Sequence, residues 1–483
     1  MKKLFLMCAS LVLCLAAVSC GGGNGGNVQT GVSDDDILQG YDGSAVTITF
    51  DHTMGQNLRG VLDEYILEFN ELYPNITIKH EQVGSYDDVR DNISKQLTVG
   101  NSPNIAYCYP DHVALYNSAK AVQTLDSFIN SEVEVERADG TTEILGLTAE
   151  EKADFITGYY NEGAQFGDGL MYSMPFSKST EVLYYNATFF AKHEIPLPDH
   201  WFSTDANDKT SMEAVCKRIK EIDPTSIPLG YDSEANWFIT MCEQLGSPYT
   251  QATGDKFLFN NAVNKDFCKK FRGWYLNGWM TTQELYGAYT SGLFIATEGS
   301  RSYMSIGSSA GATHQRPTKV DGAYPFEVGI TSIPQADANK PKVISQGPSV
   351  CIFKKANVQE VIASWLFVKF LTTSVDFQAA FSMASGYVPV IKSVADHPIY
   401  AGFLAKADGG DNVAALSAKV CIEQEQAYFT SPAFSGSSKA RDEVGILLQN
   451  ILAGNKDADD AGVNALIDSA FADAISKCEF FSN

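Results

Sequence analysis

The chain has 483 residues, 45% of them hydrophobic, enough to bury a large core in about two domains. Its 35 basic and 58 acidic side chains give a formal net charge of -23, which repels nucleic acid and offers no general attraction to anionic ligands. Neutral or cationic solutes are favoured.

Lys2 and Lys3 precede an apolar run over residues 4–18 and small residues before Cys20, the pattern of a secretory signal. The run is too short to span a bilayer, so export is expected. Residues 17–20, Ala-Val-Ser-Cys, resemble a bacterial lipobox, which would make Cys20 the acylated first residue of the mature chain and anchor it to a membrane. Leucine is usual where this chain has Ala17, so ordinary signal-peptidase cleavage is the alternative. Residues 21–44 open rich in glycine and asparagine and read as a flexible tether. Cys8 and Cys14 leave with the signal, and the seven cysteines after Cys20 are far apart with no CxxC spacing. Neither a metal nor a cofactor is expected.

The globular part opens with an alternating strand at 46–50, then the loop Asp51-His52-Thr53-Met54-Gly55. Leu58, Val61, Leu62, Tyr65, Ile66, Phe69 and Leu72 recur at helical spacing and stop before Pro74, and 75–81 alternates again. Strand, loop, helix and strand make a βαβ unit, so ligands are expected at loops beyond the strands' carboxyl ends, with His52 turned toward a cleft. A helix at 87–98 and a third strand at 105–109 follow, ending at Pro110-Asp111-His112. Asp111 suits paired hydrogen bonds from neighbouring hydroxyls, or a cap on a helix starting at His112. The acidic run at 132–136 reads as a surface strand.

Residues 170–174 are short and apolar, Pro175 denies the next position a backbone donor, 176–180 are small and polar, and 181–186 alternate. Two strands joined by a polar crossing suit a chain passing between two lobes. Ser177, Ser179, Thr180 and Glu181, followed by Tyr184 and Tyr185, offer a surface for a small polyhydroxylated molecule.

An amphipathic helix spans 210–222 with Met212, Val215, Cys216 and Ile219 inward, and a strand at 227–231 leads toward Trp237. Trp274 and Trp279 read as core. Gly307-Ser308-Ser309-Ala310-Gly311 could cradle a phosphate but lacks the P-loop lysine and the Rossmann spacing. In the turn at 345–349, Gly347 lets the backbone approach a ligand. A long helix over 359–381 precedes Gly386-Tyr387-Val388-Pro389, and Arg441 falls in the first turn of a helix that holds residues 440–452. A cation there opposes the helix dipole, so it needs a compensating partner.

The segment P-F-x-x-S-T-x-V-L-Y-Y-N at 175–186 resembles that of extracellular solute-binding proteins of carbohydrate-type ABC importers. It is most similar to the branch that includes the glycerol-3-phosphate-binding component, with the maltose-binding proteins more distant. The G-Y-x-P turn at 386–389 and the order of the other matches from Val46 onward agree with it. The resemblance implies an α/β, two-lobed periplasmic-binding-protein-like fold with a ligand cleft between the lobes. The N-terminal lobe would comprise 45–175 and 326–383, the C-terminal lobe 176–325 and 384–483, with crossings near 174–177, 323–327 and 383–389.

The same resemblance implies ligand contacts at His52, Tyr86, Asp111, Ser179, Glu181, Ser308, Ser309, Gly347, Tyr387 and Arg441, and an aromatic platform for a sugar ring at Trp237. It departs at Asp51, where the family has an aromatic residue. What it implies of function is a monomeric, lipid-anchored receptor at the outer face of the cell membrane or in the periplasm. Such a receptor hands a sugar, oligosaccharide or related polyol to the permease subunits of an ABC transporter and does no chemistry. Arg441 and the serines would also suit glycerol 3-phosphate or its diesters. A surface carbohydrate adhesin and a secreted glycoside-acting enzyme, with Asp111 and Glu181 as its carboxylates, are the alternatives from other classes.

Overall fold

The computed structural model describes residues 31–482; Cys20, the signal and most of the tether's glycine-rich part lie outside them. The strand Val46–His52 is followed by the helix Gln56–Leu72 and by the parallel strand Ile76–Gln82, with Val46 opposite Ile76 and His52 opposite Gln82. The helix turns Leu62, Tyr65, Ile66 and Phe69 onto the sheet, the spacing the sequence prescribed. Ser85 caps the next helix, Tyr86–Thr98, accepting from the Asp88 amide while the Asp88 carboxylate accepts from Ser85. The strand Ile105–Cys108 then pairs on the other side of Val46–His52. Ser349–Ile352 and the short edge strand Met174–Pro175 complete this five-stranded sheet. Pro175 is tolerated because an edge strand needs no donor on its free side.

The second sheet is built around Ser179–Asn186. Met304–Ser308 pairs antiparallel along one side, and Val328–Thr331 and Val343–Gln346 pair along the other. Leu229–Tyr231 and Met280–Thr282 extend it in parallel. The strand begins two residues before the alternation does, at Ser179, because its hydroxyls are satisfied inside the sheet. Thr180 Oγ1 donates to the Ile344 carbonyl at 2.7 Å, and the Thr180 amide donates to Ser309 Oγ at 3.2 Å. Upstream the expected strand over 170–174 shrinks to Met174–Pro175, since the Leu170 amide turns back to Asp168 Oδ1 and Tyr172 to the Gly163 carbonyl.

One core runs from the first sheet onto Val182, Tyr184 and Val328 of the second, and the second sheet has another of its own. Ile48, Phe50, Phe69, Trp365 and Phe377 pack in the first lobe; Trp201, Trp237, Phe238, Phe271 and Leu448 pack in the second. The acidic run forms a small hairpin, Glu134–Glu136 with Thr142–Ile144. The seven cysteines among the described residues are all buried and unbridged. Among the described residues no helix is long and apolar enough to cross a membrane.

Three crossings join the lobes. The first runs from Pro175 to Ser179 and the second from Gln346 to Ser349, where the Pro348 carbonyl accepts from the Phe176 and Ser177 amides at 3.1 and 3.2 Å. The third, at Val388, exchanges both backbone hydrogen bonds with Lys178, at 3.1 and 2.6 Å. The crossing expected near 323–327 is displaced to 346–349, because Val328–Thr331 and Val343–Gln346 both pair with the central strand of the second sheet. An apolar strand at 327–330 fits either sheet by its pattern alone; pairing decides.

Candidate functional site

A cavity of about 210 Å³ lies between the lobes. The first lobe supplies Tyr86 and Arg90 from one helix, Tyr109, Asp111 and His112 from the segment after the strand Ile105–Cys108, and Glu162. The second supplies Tyr249, Thr250, Ser345, Gln346, Thr430, Ser431 and, from the helix Ser437–Ala453, Ser438, Arg441 and Asp442. Tyr86 and Tyr109 follow the carboxyl ends of parallel strands, where an open α/β sheet presents its loops to ligand.

Tyr86 and Tyr109 stand 4.8 Å apart between ring centres, and the Tyr86 hydroxyl is 3.2 Å from that of Tyr387. Burial pushes the Tyr86 and Tyr109 hydroxyls up, so both stay neutral donors and acceptors. Asp111 does not cap a helix starting at His112. The helix begins at Pro110 with Tyr109 at its N-cap, so Asp111 sits in the first turn, where a carboxylate suits the dipole. Burial also lowers the basicity of His112.

Arg441 meets its compensating partner in the Asn236 side-chain carbonyl. The amide end of Asn236 donates to Glu181 Oε1 at 3.0 Å, and Tyr231 donates to Glu181 Oε2 at 2.6 Å. Burial raises Glu181 to about 7, with the Tyr231 and Asn236 bonds acting against it. Across the cleft, Arg90 Nη1 donates to Ser438 Oγ at 3.1 Å and lies 3.9 Å from Asp442, while Asp87 and Asp91 hold the same guanidinium on its own helix.

Among the described residues, five polar atoms of cavity-lining side chains are buried without a hydrogen-bond partner: His112 Nδ1, Tyr249 OH, Thr250 Oγ1, Ser345 Oγ and Gln346 Oε1. Buried polar groups are nearly always paired, so such a concentration in one cavity wall marks a surface completed by something polar.

Of the residues singled out in the sequence, Tyr86, Asp111 and Arg441 line the cavity, and Tyr387 adjoins it through Tyr86. The others lie elsewhere. His52 is fully buried because the strand continues through it; its Nδ1 accepts from the Met54 amide at 3.1 Å and its Nε2 meets His80 Nδ1 at 2.9 Å. Trp237 is a core residue, stacked on Phe271 at 3.8 Å and Tyr231 at 4.8 Å, because the inward face of the helix Glu234–Gln244 carries it. Ser179, Ser308 and Ser309 knit strands together, Ser308 Oγ donating to Ser179 Oγ at 3.3 Å. Glu181 is buried behind Asn236. Gly347, at φ +89°, approaches the first crossing rather than open space: a Cβ there would lie 2.5 Å from the Ser177 carbonyl oxygen.

Sequence reasoning missed Arg90, Tyr109, His112, Glu162, Tyr249, Ser345 and Gln346. Tyr109 lies two residues before Asp111, at the strand end where the resemblance implies a ligand contact, and Ser345 and Gln346 share the turn of Gly347. Nothing local distinguishes Tyr249 or Glu162. Among the described residues no cluster of histidine, cysteine, aspartate or glutamate side chains could hold a metal ion.

Solved structures share the fold across nearly the whole chain. The cyclic α-maltosyl-1,6-maltose binding protein of Arthrobacter globiformis superposes with a TM-score of 0.66 at 17% identity, covering 90% of this chain and 100% of that one. UgpB of Mycobacterium tuberculosis, solved with glycerophosphocholine, gives 0.66 at 15% identity, covering 91% and 98%. The sugar-binding protein MalE of Xanthomonas citri gives 0.67 at 16% identity, covering 90% and 98%. Among curated proteins, the sn-glycerol-3-phosphate-binding periplasmic protein UgpB of Shigella flexneri is 28% identical over 159 residues, and that of Escherichia coli K12 is 26% identical over 156. These matches span only 32% of this chain and 32% of each relative's length. The sequence pattern of bacterial extracellular solute-binding proteins, by contrast, matches residues 64–407. The chain belongs to the bacterial extracellular solute-binding protein family.

Proposed function

We propose that the protein is the substrate-binding component of an ABC importer, capturing a sugar or related polyol between its lobes and presenting it, closed, to the permease. The observation that carries this is the cavity wall itself, where five buried polar atoms lack partners beside Asp111 and the tyrosines. Hydroxyl groups, each donor and acceptor, complete such a wall. Four carboxylates, Asp87, Asp111, Glu162 and Asp442, outnumber Arg90 and Arg441 around the cavity, which favours a neutral ligand. The cavity of about 210 Å³ is small beside the ~300–1,000 Å³ of drug-sized sites, so in this arrangement the cargo is of monosaccharide scale and an oligosaccharide would require a wider opening.

A second reading, glycerol 3-phosphate or a diester of it, is favoured by one observation: Arg441 faces the cavity with an amide, not a carboxylate, as its partner. Catalysis is not part of the proposal, since Glu181 is shut behind Asn236 and Tyr231 and cannot pair with Asp111 across a glycosidic bond. Acylation at Cys20 would hold the receptor at the outer face of the membrane.

The test is a thermal-shift screen of the chain lacking residues 1–20 against sugars, polyols, glycerol phosphates and amino acids. A ligand at 100 times its dissociation constant adds about 2.7 kcal/mol to a folded state it binds exclusively, a visible shift. Shifts confined to a sugar or polyol group support the reading. Shifts confined to phosphorylated polyols transfer it to the second, and release of reducing ends from oligosaccharides would replace both with an enzyme.

A further inference from the structure

Lys178 lies in the first crossing and has no exposed surface. Its ammonium donates to Glu162 Oε1 at 2.6 Å, to Ser349 Oγ at 3.0 Å and to the Gly347 carbonyl at 3.2 Å, which uses all three of its protons. Gly347 and Ser349 flank the turn of the second crossing, and the Lys178 backbone exchanges both bonds with Val388 of the third. One residue therefore touches all three segments on which the lobes turn.

Glu162, at the other end of the ion pair, is 2% exposed and lines the ligand cavity. Its Oε1 takes Lys178 and, at 3.4 Å, Ser349 Oγ; among the described residues no donor reaches Oε2. Removing a carboxylate and an ammonium from water is costly, and an apolar pair of similar volume often stabilises a protein more. Stability alone is a weak reason to bury this pair where the cavity meets the crossings.

We propose that Glu162 is a specificity-determining ligand contact, its free carboxylate oxygen accepting a hydrogen bond from a hydroxyl of a neutral polyol, and that Lys178 couples this contact to the three crossings. The proposal rests on the solute-binding reading of the cavity. A carboxylate fixed at this point accepts from a hydroxyl and repels a phosphate oxygen, so it both holds the cargo and excludes its phosphorylated form. Occupation of Oε2 draws Glu162 toward the ligand, and the lysine carries the displacement to the segments that set the angle between lobes.

The test uses titration calorimetry with D-glucose, maltose, glycerol and sn-glycerol 3-phosphate on the chain lacking residues 1–20. Glu162→Gln alone strands a buried lysine and is prone to misfold, so the double variant Glu162→Gln/Lys178→Met, which removes both charges at similar volume, carries the decision. The expected result is a folded double variant whose affinity for the neutral probe bound by wild type falls at least tenfold, with its discrimination against sn-glycerol 3-phosphate compressed by a similar factor. Wild-type affinity and wild-type discrimination in the folded double variant would overturn the assignment and leave a structural ion pair. If the wild-type chain binds none of the four probes, the neutral-polyol cargo on which the proposal rests is contradicted and the proposal falls with it; if wild type binds and the double variant matches it, only the role of Glu162 fails.

Discussion

The Glu181 carboxylate and the Arg441 guanidinium do not touch; Asn236 stands between them, its amide nitrogen 3.0 Å from Glu181 Oε1 and its carbonyl oxygen accepting from Arg441. The carboxylate sets the orientation of the amide, and the amide sets the position of the cation at the cavity wall. Glu181 is thus a positioning residue, which explains how a motif at the heart of the family resemblance can be buried out of a ligand's reach.

This arrangement has a pH signature. Glu181 titrates near 7 in the folded protein against an ordinary value of 4.5, so between those values the folded chain holds a proton that the unfolded chain has lost. Its contribution to stability is present in acid and is lost as pH rises toward 7, on the order of 3 kcal/mol in total. His52, depressed from 6.5 to about 3, acts oppositely: the unfolded chain gains a proton below 6.5 that the folded chain refuses, so stability falls as pH drops. Urea midpoints measured from pH 4 to 8 should decline at both ends. Glu181→Gln should remove the loss of stability that runs from about pH 4.5 to 7 and so unmask the His52 slope, with midpoints rising from pH 4.5 to 6.5; an unchanged profile there would show that another group causes the loss.

Trp237 is predicted to matter for stability and not for affinity. It is unexposed and stacked on Phe271 and Tyr231, so Trp237→Ala should cost roughly 3–5 kcal/mol. Fluorescence-monitored unfolding should show a lower denaturant midpoint, while ligand affinity of the fraction that remains folded should stay within about twofold of wild type.

Arg90→Ala removes the 3.1 Å hydrogen bond to Ser438 that ties helix to helix across the cleft. A bond to a charged donor contributes about 1.5–3 kcal/mol, here reduced because Asp87, Asp91 and Asp442 are themselves substantially exposed. The unliganded variant should be more open, with a larger radius of gyration by small-angle scattering, and its ligand affinity should fall about tenfold. An unchanged radius of gyration in the unliganded variant would contradict a latch.

Gly347→Ala places a methyl group 2.5 Å from the Ser177 carbonyl at a backbone angle of +89°. The expected cost is about 1–3 kcal/mol, read as a lower melting temperature. Because the substituted turn is itself a crossing, ligand-induced closure should weaken as well.

What could be read in advance depended on local pattern. The opening βαβ unit and the polar crossing after Pro175 follow from periodicity and chain order, whereas Tyr86 and Asp111 are positions that the family resemblance implies. Trp237 and His52 were misplaced because one dimension does not say whether the last residue of a strand or an aromatic in a helix faces the cleft or the core. The boundary moved from 326 to 346–349 because an apolar strand carries no label of the sheet it joins. Tyr249 and Thr430 reach the cavity only through tertiary convergence, and Glu162 acquires its meaning from Lys178, 16 residues later.

The most direct test of the account is the affinity of the cavity variant Asp111→Ala for the sugar or polyol that wild type binds, by titration calorimetry. Asp111 lines the cavity and is half-buried in the first turn of its helix, so the substitution should leave the fold intact. Loss of a charge-assisted bond should weaken binding by about 1.5–3 kcal/mol, roughly ten- to a hundredfold. That result places the ligand between the lobes, whereas wild-type affinity in the folded variant would put the binding site somewhere else and contradict the central claim.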